Sequence, residues 1–331
     1  MTPTEFMQKQ GLPYEAKVNH ARLRAWEFYE KMQGQCHVSV GGLDSITLFM
    51  FLHSVGIDVP AISVSCLEDK SIQDIHKTLG IISLKPYRSQ TEVIREFGYP
   101  VLSKQIAGKI ETLQNPTPRN VTVRHAIMTG ETGQQGGFRK GTRMKLPMKW
   151  MRLFAGMENE RYGTEYQVAP FRVSSKCCYY MKEKPCDDWA REHESVPYLG
   201  LMASEGGQRE KALMHHGCNY YGKTTTRSCP FAIFSRQDLL QLALDLNVPI
   251  PEAYGAIVRE PDGALRTTRA QRTGCSMCGF GVHLEKRPHR FDRLREDNPK
   301  AWHHWMIIEG WGKVLDYIGV GWEDEVGGEH V

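Results

Sequence analysis

No stretch of this sequence is long and apolar enough to cross a bilayer. The longest strongly apolar run, Ile46 to Leu52, is interrupted by Thr47 and falls far short of the about 20 residues a spanning helix needs. The opening segment from Met1 to Gln10 lacks the apolar core of a secretory signal. These two absences lead us to expect a cytoplasmic protein with no membrane partner. Charge of one sign is lacking too: 42 Lys and Arg face 38 Asp and Glu, and a net of +4 does not mark a nucleic-acid binder by bulk charge. Internal repeats and low-complexity tracts are absent, which excludes solenoid and fibrous architectures. The glycine turn near position 41 lacks the Lys-Ser or Lys-Thr ending of a Walker A loop. Nine cysteines, an odd number without an export signal, argue against a disulfide framework and for thiols that bind metal or pack.

What is present is an ordinary globular composition, 40% hydrophobic and 24% charged over 331 residues. That length accommodates one large domain with an appended subdomain, or two modest domains. From Tyr14 to Met32 the apolar residues Val18, Leu23, Trp26 and Phe28 recur among charges and predict an amphipathic helix. A short β-branched run from Cys36 to Val40, the turn Gly41–Gly42 and the apolar run from Ile46 read as strand, turn and helix. A second buried strand is expected at 61–66, and two strands around one helix form a βαβ unit of a parallel sheet. Between Thr129 and Gly141, five glycines among polar residues predict a long surface loop. Ser235 to Leu246 reads as a capped helix. The expected divisions are an N-terminal helical segment at 1–35, a nucleotide-binding domain at 36–235 and a C-terminal subdomain at 236–331.

Gly41 and Gly42 allow close backbone approach, and Ser45 opens a helix whose free amides attract an anion. A plain strand-to-helix turn capped by Asp44 or Ser45 is the alternative on these residues alone. The turn from Val40 to Ser45 resembles the SGGxDS pyrophosphate loop of the adenine-nucleotide alpha-hydrolase (PP-loop) superfamily, with Val40 in place of the first serine and Ser39 one position earlier. The resemblance implies that Ser39, Gly41, Gly42, Asp44 and Ser45 bind the phosphates of ATP or of a sulfonucleotide.

Cys177 and Cys178 are adjacent, and Cys275 and Cys278 form a CxxC flanked by glycine, so a folded chain can gather four thiolates around one metal centre. Successive side chains diverge, so a cluster with separate iron corners is expected over a single zinc ion. This arrangement resembles the cluster ligands of the phosphoadenosine-phosphosulfate reductase family, in its iron-sulfur type. The segment from Tyr198 to Leu213 is similar to the family's GxRxxESxxR element, with Gly200, Glu205 and Arg209 in place and with Met202 and Gly206 at its Arg and Ser positions. The likeness extends in order from about Cys36 to about Arg295. It implies a PP-loop α/β fold, a parallel sheet with helices on both faces and a C-terminal cysteine-containing subdomain. It also implies that Cys177, Cys178, Cys275 and Cys278 hold a 4Fe-4S cluster, with zinc the alternative. The family's reductases attack sulfur with a cysteine near the C-terminus, and no cysteine follows Cys278. Cys218 and Cys229 are either substitutes for it or small core residues.

Arg139, Lys140, Arg143, Lys145, Lys149 and Arg152 form the densest cation run, with Trp150 among them. They suit a nucleic-acid backbone, a bound nucleotide's phosphates, or a solvated face around a buried Trp. Lys286, Arg287, Arg290, Arg293 and Arg295 follow the CxxC and would offset a cluster's negative charge. His283 and His289 are expected to be ordinary hydrogen-bonded histidines. Glu68 and Asp69 stand where a carboxylate meets ribose or magnesium, or where Asp69 or Ser71 caps a helix.

Three activities follow as expectations. The first is an ATP-dependent sulfurtransferase in which Asp44, Ser45, Glu205 and Arg209 serve catalysis, magnesium accompanies ATP, an acceptor oxygen is adenylylated, and sulfur delivered through the cluster displaces the adenylate. Nucleic acid is the acceptor this reading favours, with a separate sulfur or electron donor protein. The second is reduction of adenylyl sulfate or phosphoadenylyl sulfate to sulfite. The third is a non-catalytic nucleotide-binding redox sensor.

Overall fold

The computed structural model describes residues 2–132, 144–156 and 166–323. Along the chain come α1 (Pro3–Gln10), α2 (Tyr14–Lys31), β1 (Cys36–Ser39), α3 (Leu43–Ser54), β2 (Ala61–Ser63), α4 (Lys70–Thr78) and β3 (Ile82–Ser83). Next are α5 (Gln90–Phe97), β4 (Val101–Leu102), α6 (Lys104–Gln114), α7 (Val121–Thr129) and α8 (Met148–Phe154). They are followed by α9 (Lys184–Glu192), β5 (Val196–Leu199), α10 (Gly207–His216), β6 (Asn219–Tyr221), β7 (Thr226–Ser228), α11 (Arg236–Asp245), β8 (Ile257–Arg259) and β9 (Leu265–Thr267). The chain closes with β10 (Gly279–Phe280), α12 (Arg290–Asp297), α13 (Pro299–His303) and α14 (Trp311–Ile318).

Two compact units result, each made of two chain segments: Met1–Tyr87 with Lys182–Cys275, and Arg88–Met181 with Ser276–Val331. The divisions expected from sequence fell instead at 35/36 and 235/236. The first unit is α/β. Its six-stranded sheet has the order β3-β2-β1-β5-β7-β6, parallel throughout except where β6 meets β7. The β1–β5 ladder runs from Cys36↔Val196 to Ser39↔Leu199. Because β1 leads outward to β2 on one side and has β5 on the other, the crevice beyond the carboxyl ends of β1 and β5 is the topological switch point where such sheets bind ligands.

Helix α2 forms as expected, but its buried stripe is Lys17, Ala21, Ala25 and Phe28, four positions at helical spacing, while Leu23 is 62% exposed. Alanines at that stripe let α2 approach closely enough for Tyr198 of β5 to bond the Ala25 carbonyl at 2.7 Å. Helix α3 is apolar nearly all round and buries Leu43, Ile46, Leu48, Phe51 and Leu52, so it is a core helix rather than an amphipathic surface one. Helix α11 begins at the expected cap: Ser235 and Asp238 form a capping box, and Asp238 also pairs with the buried Lys17 at 2.8 Å. Cys218 and Cys229 are core residues, with burial pushing each thiol up to about 12.

The second unit is mainly helical. Its two segments are stitched by the parallel pair β4–β10, in the register Val101↔Gly279 and Leu102↔Phe280. Trp311, fully buried, sits against Tyr99 and Phe291 at ring-centroid distances of 5.2 and 5.4 Å. Val121–Thr129 forms α7, which ends where the expected loop begins. The expected glycine-rich loop lies largely outside the described residues. Among the described residues, no helix is long and apolar enough to cross a membrane.

Candidate functional site

In the first unit, β1 ends at Ser39 and α3 starts at Leu43, so Val40, Gly41 and Gly42 make the whole connection at the switch point. Ser45 closes the turn on itself: its hydroxyl accepts the Gly41 amide at 2.8 Å and donates to the Gly42 carbonyl at 2.9 Å. Behind the turn, His76 on α4 bonds the Gly41 carbonyl through Nε2 at 2.8 Å and Ser65 through Nδ1 at 2.9 Å. A carbonyl only accepts, so Nε2 carries the proton and the Ser65 hydroxyl donates to Nδ1. Burial holds this imidazole below its usual pKa, which favours the neutral form that such a bridge requires.

The two glycines have different neighbours. Among the described residues, a Cβ at Gly41 would meet only Glu68 Oε1, at 3.6 Å. One at Gly42 would lie 2.2 Å from Tyr254 Oη and 3.0 Å from Thr273 Oγ1. Gly42 has φ −88°, so close approach and not left-handed backbone is what requires glycine there. The Leu43 amide donates to Tyr254 Oη at 3.2 Å, and the amides of Gly42 and Asp44 have no partner among the described residues. Those two N–H groups at the start of α3 are available to an anion.

Gly200, at the end of β5, packs against the same turn: a Cβ there would come within 3.0 Å of Asp44 and Ser45 backbone atoms. The Asp44 carboxylate pairs with Arg236 at the start of α11. Burial raises the Asp44 pKa, opposed by Arg236 and Arg272 and reinforced by Glu205. Glu205 itself pairs with Arg209 at 2.5 Å and accepts the Met202 amide at 3.4 Å. Asp44, Ser45, Gly200 and Glu205 are therefore gathered in one neighbourhood, with Arg209 reaching it through Glu205. Met202 is buried. Ser39 faces elsewhere: its hydroxyl lies 3.5 Å from His37 Nε2, and His37 is buried with Nδ1 2.8 Å from Ser195 Oγ. The adjacent acids divide their roles. Asp69 caps α4 through the Ser71 amide, while buried Glu68 pairs with Lys182 at 2.5 Å.

In the second unit, Glu111 of α6 shapes the approach to the cysteine pair by accepting from Ser174 Oγ, the Ser175 amide and Lys176 Nζ at 3.1, 3.2 and 2.9 Å. Cys177 and Cys178 then open a helical turn that passes into a π-turn at Tyr179–Glu183. Their sulfurs lie 3.9 Å apart, so adjacency in a helical turn does not make them diverge as expected. Zinc–sulfur bonds of about 2.3 Å at the tetrahedral angle set two ligand sulfurs about 3.8 Å apart, so this pair fits one ion as well as it fits neighbouring cluster corners. Cys278 is fixed locally: Arg290 Nη1 bonds its carbonyl at 3.0 Å, and a Cβ on the next residue, Gly279, would strike Trp311 at 2.4 Å. Cys275 is the last residue of the first unit. Among the described residues, no three or more His, Cys, Asp or Glu side chains are grouped to hold a metal ion.

No protein-family model matches this chain, and no curated protein matches it either.

Of the cation run, Arg139, Lys140 and Arg143 lie outside the described residues. Trp150 is 7% exposed, with its ring edge-on to His283 at 5.5 Å, so it packs and offers no stacking face to a base. Lys149 lies over that ring at 4.6 Å. His289 caps α12 and bonds the Gly321 carbonyl at 2.9 Å, an ordinary structural role. Tyr254, Thr273, Arg236, Arg272, His76 and Lys182 were not identified from sequence, because they reach the turn from remote segments. Only Arg236, directly after the recognisable cap Ser235, carried a local signal.

Proposed function

We propose that this chain is an adenine-nucleotide-dependent enzyme of sulfur chemistry, with the phosphates of ATP bound at the turn from Gly41 to Ser45. The observation that supports it best is the Ser45-closed turn at the β1–β5 switch point, with two amides unpartnered among the described residues and Asp44 and Glu205 beside them. Backbone amides and cations are what phosphoryl positioning requires. An acceptor oxygen attacks the α-phosphorus, pyrophosphate leaves, and a sulfur nucleophile then expels AMP. Arg236 and Arg209 hold the two carboxylates in place, and Asp44 and Glu205 are the groups suited to magnesium. Nucleic acid is the acceptor, with Lys145, Lys149 and Arg152 among the cations that meet its backbone.

Cys177, Cys178, Cys275 and Cys278 are assigned to one 4Fe-4S cluster, which when bound supplies electrons or a site for sulfur. The test is incubation of anaerobically purified protein with ATP, magnesium, sulfide and RNA or DNA. AMP and pyrophosphate formation that depends on the nucleic acid supports the reading. Sulfite release from a sulfonucleotide would replace it with the reductase, and zinc without acid-labile sulfide would replace the cluster.

A further inference from the structure

The pyrophosphate turn has one hydroxyl fewer than the loop it resembles, because position 40 is valine and buried. Two other hydroxyls stand against the turn, brought there by a segment far along the chain. Tyr254 Oη accepts the Leu43 amide at 3.2 Å and lies 2.8 Å from Thr273 Oγ1. Both crowd Gly42 so closely that no side chain fits at that position. Proton counting shows what the pair can still do. Each hydroxyl has one proton, their mutual bond uses one, and the amide of Leu43 is itself a donor. One O–H proton remains, and no further partner for it occurs among the described residues. Tyr254 is 4% exposed, whereas Thr273 is partly exposed, so the free proton is reachable from solvent at Thr273.

We infer that the Tyr254–Thr273 hydroxyl pair donates to the ligand's phosphate at this turn, the role that a serine at position 40 would otherwise fill. The inference rests on the nucleotide reading above. It makes the phosphate seat a set of three donors: the amides of Gly42 and Asp44 and one hydroxyl. Arg272, which neighbours Thr273 in sequence, acts electrostatically on Asp44 and so adds positive charge near the turn.

Equilibrium binding of ATP, inorganic pyrophosphate and adenosine to the full chain and to Tyr254→Phe and Thr273→Val tests this. A hydrogen bond to a charged phosphate corresponds to about tenfold or more in affinity. Thr273→Val is expected to bind ATP and pyrophosphate about tenfold more weakly, Tyr254→Phe to weaken them less because Thr273 keeps its own proton, and both to bind adenosine as the unaltered chain does. Equal weakening for adenosine and pyrophosphate would make the pair structural and overturn the inference. Unchanged pyrophosphate affinity in both variants would overturn it and leave the nucleotide reading standing. Failure of the unaltered chain to bind either ATP or pyrophosphate would overturn both.

Discussion

Alanine at Gly42 and alanine at Gly41 should have very different consequences, although the two residues are adjacent and both belong to the turn. At Gly42 the new methyl group would lie 2.2 Å from Tyr254 Oη, 3.0 Å from Thr273 Oγ1 and 3.3 Å from Tyr254 Cζ. Tyr254 is buried and cannot swing into solvent. Forcing a methyl into a filled site costs about 1–3 kcal/mol. Displacing the tyrosine also breaks its bond from the Leu43 amide, about 1 kcal/mol more. The expected loss is about 2–4 kcal/mol, equivalent to a melting temperature lower by about 5–10 °C for a unit of this size. At Gly41 the only neighbour among the described residues is Glu68 Oε1 at 3.6 Å, an ordinary contact, and the change should stay within about 1 kcal/mol. Thermal and urea unfolding followed by circular dichroism would measure both. Gly42→Ala combined with Tyr254→Phe should cost less than the sum of the single changes, since one hydroxyl is responsible for much of the clash. Gly42→Ala as stable as Gly41→Ala would refute the reasoning.

Four other outcomes are expected. Burial depresses the His37 pKa from 6.5 to about 4, so the unfolded chain takes up a proton that the folded one refuses. Stability should be full above pH 6.5 and fall by about 3 kcal/mol as the pH drops towards 4, and His37→Gln should flatten that part of a pH–stability profile. Cys177→Ser and Cys278→Ser should each lower bound metal, measured as iron, acid-labile sulfide and zinc. Cys218→Ala should leave metal content intact while costing about 1 kcal/mol, because Cys218 is a core residue. Ser235→Ala should cost about 1 kcal/mol by removing the α11 capping box, read from denaturant midpoints.

The strand-turn-helix at the start of the sheet was legible because strand, glycine pair and apolar run follow one another without interruption. The cap at Ser235 was legible for the same local reason. Helix α2 was legible as a helix, but its packing face was not: Leu23 looks like a core residue, yet alanines make the closest approach and leave it in solvent. Glu68 and Asp69 could not be told apart in sequence, since burial against Lys182 and capping of α4 are set by tertiary placement. The roof over Gly42 was invisible for a further reason. Tyr254 and Thr273 belong to no motif, and only the folded first unit brings them to a turn more than half the chain away. Of the readings left open for the cation run, the one with a buried Trp is the one the fold supports at Trp150.

The pairing of β4 with β10 ties together two segments of the second unit that are separated in the chain by half of the first. On a ribosome, β4 and the Cys177–Cys178 turn emerge well before Gly279 exists to complete their ladder. The second unit therefore closes only after residues 182–275 have been made, and long-range pairing of this kind slows folding. A fragment ending at Met181 or at Cys275 would leave β4 an unpaired edge. Through that interval the Cys177–Cys178 turn exists without Cys278, which comes only with the residue, Gly279, that packs against Trp311.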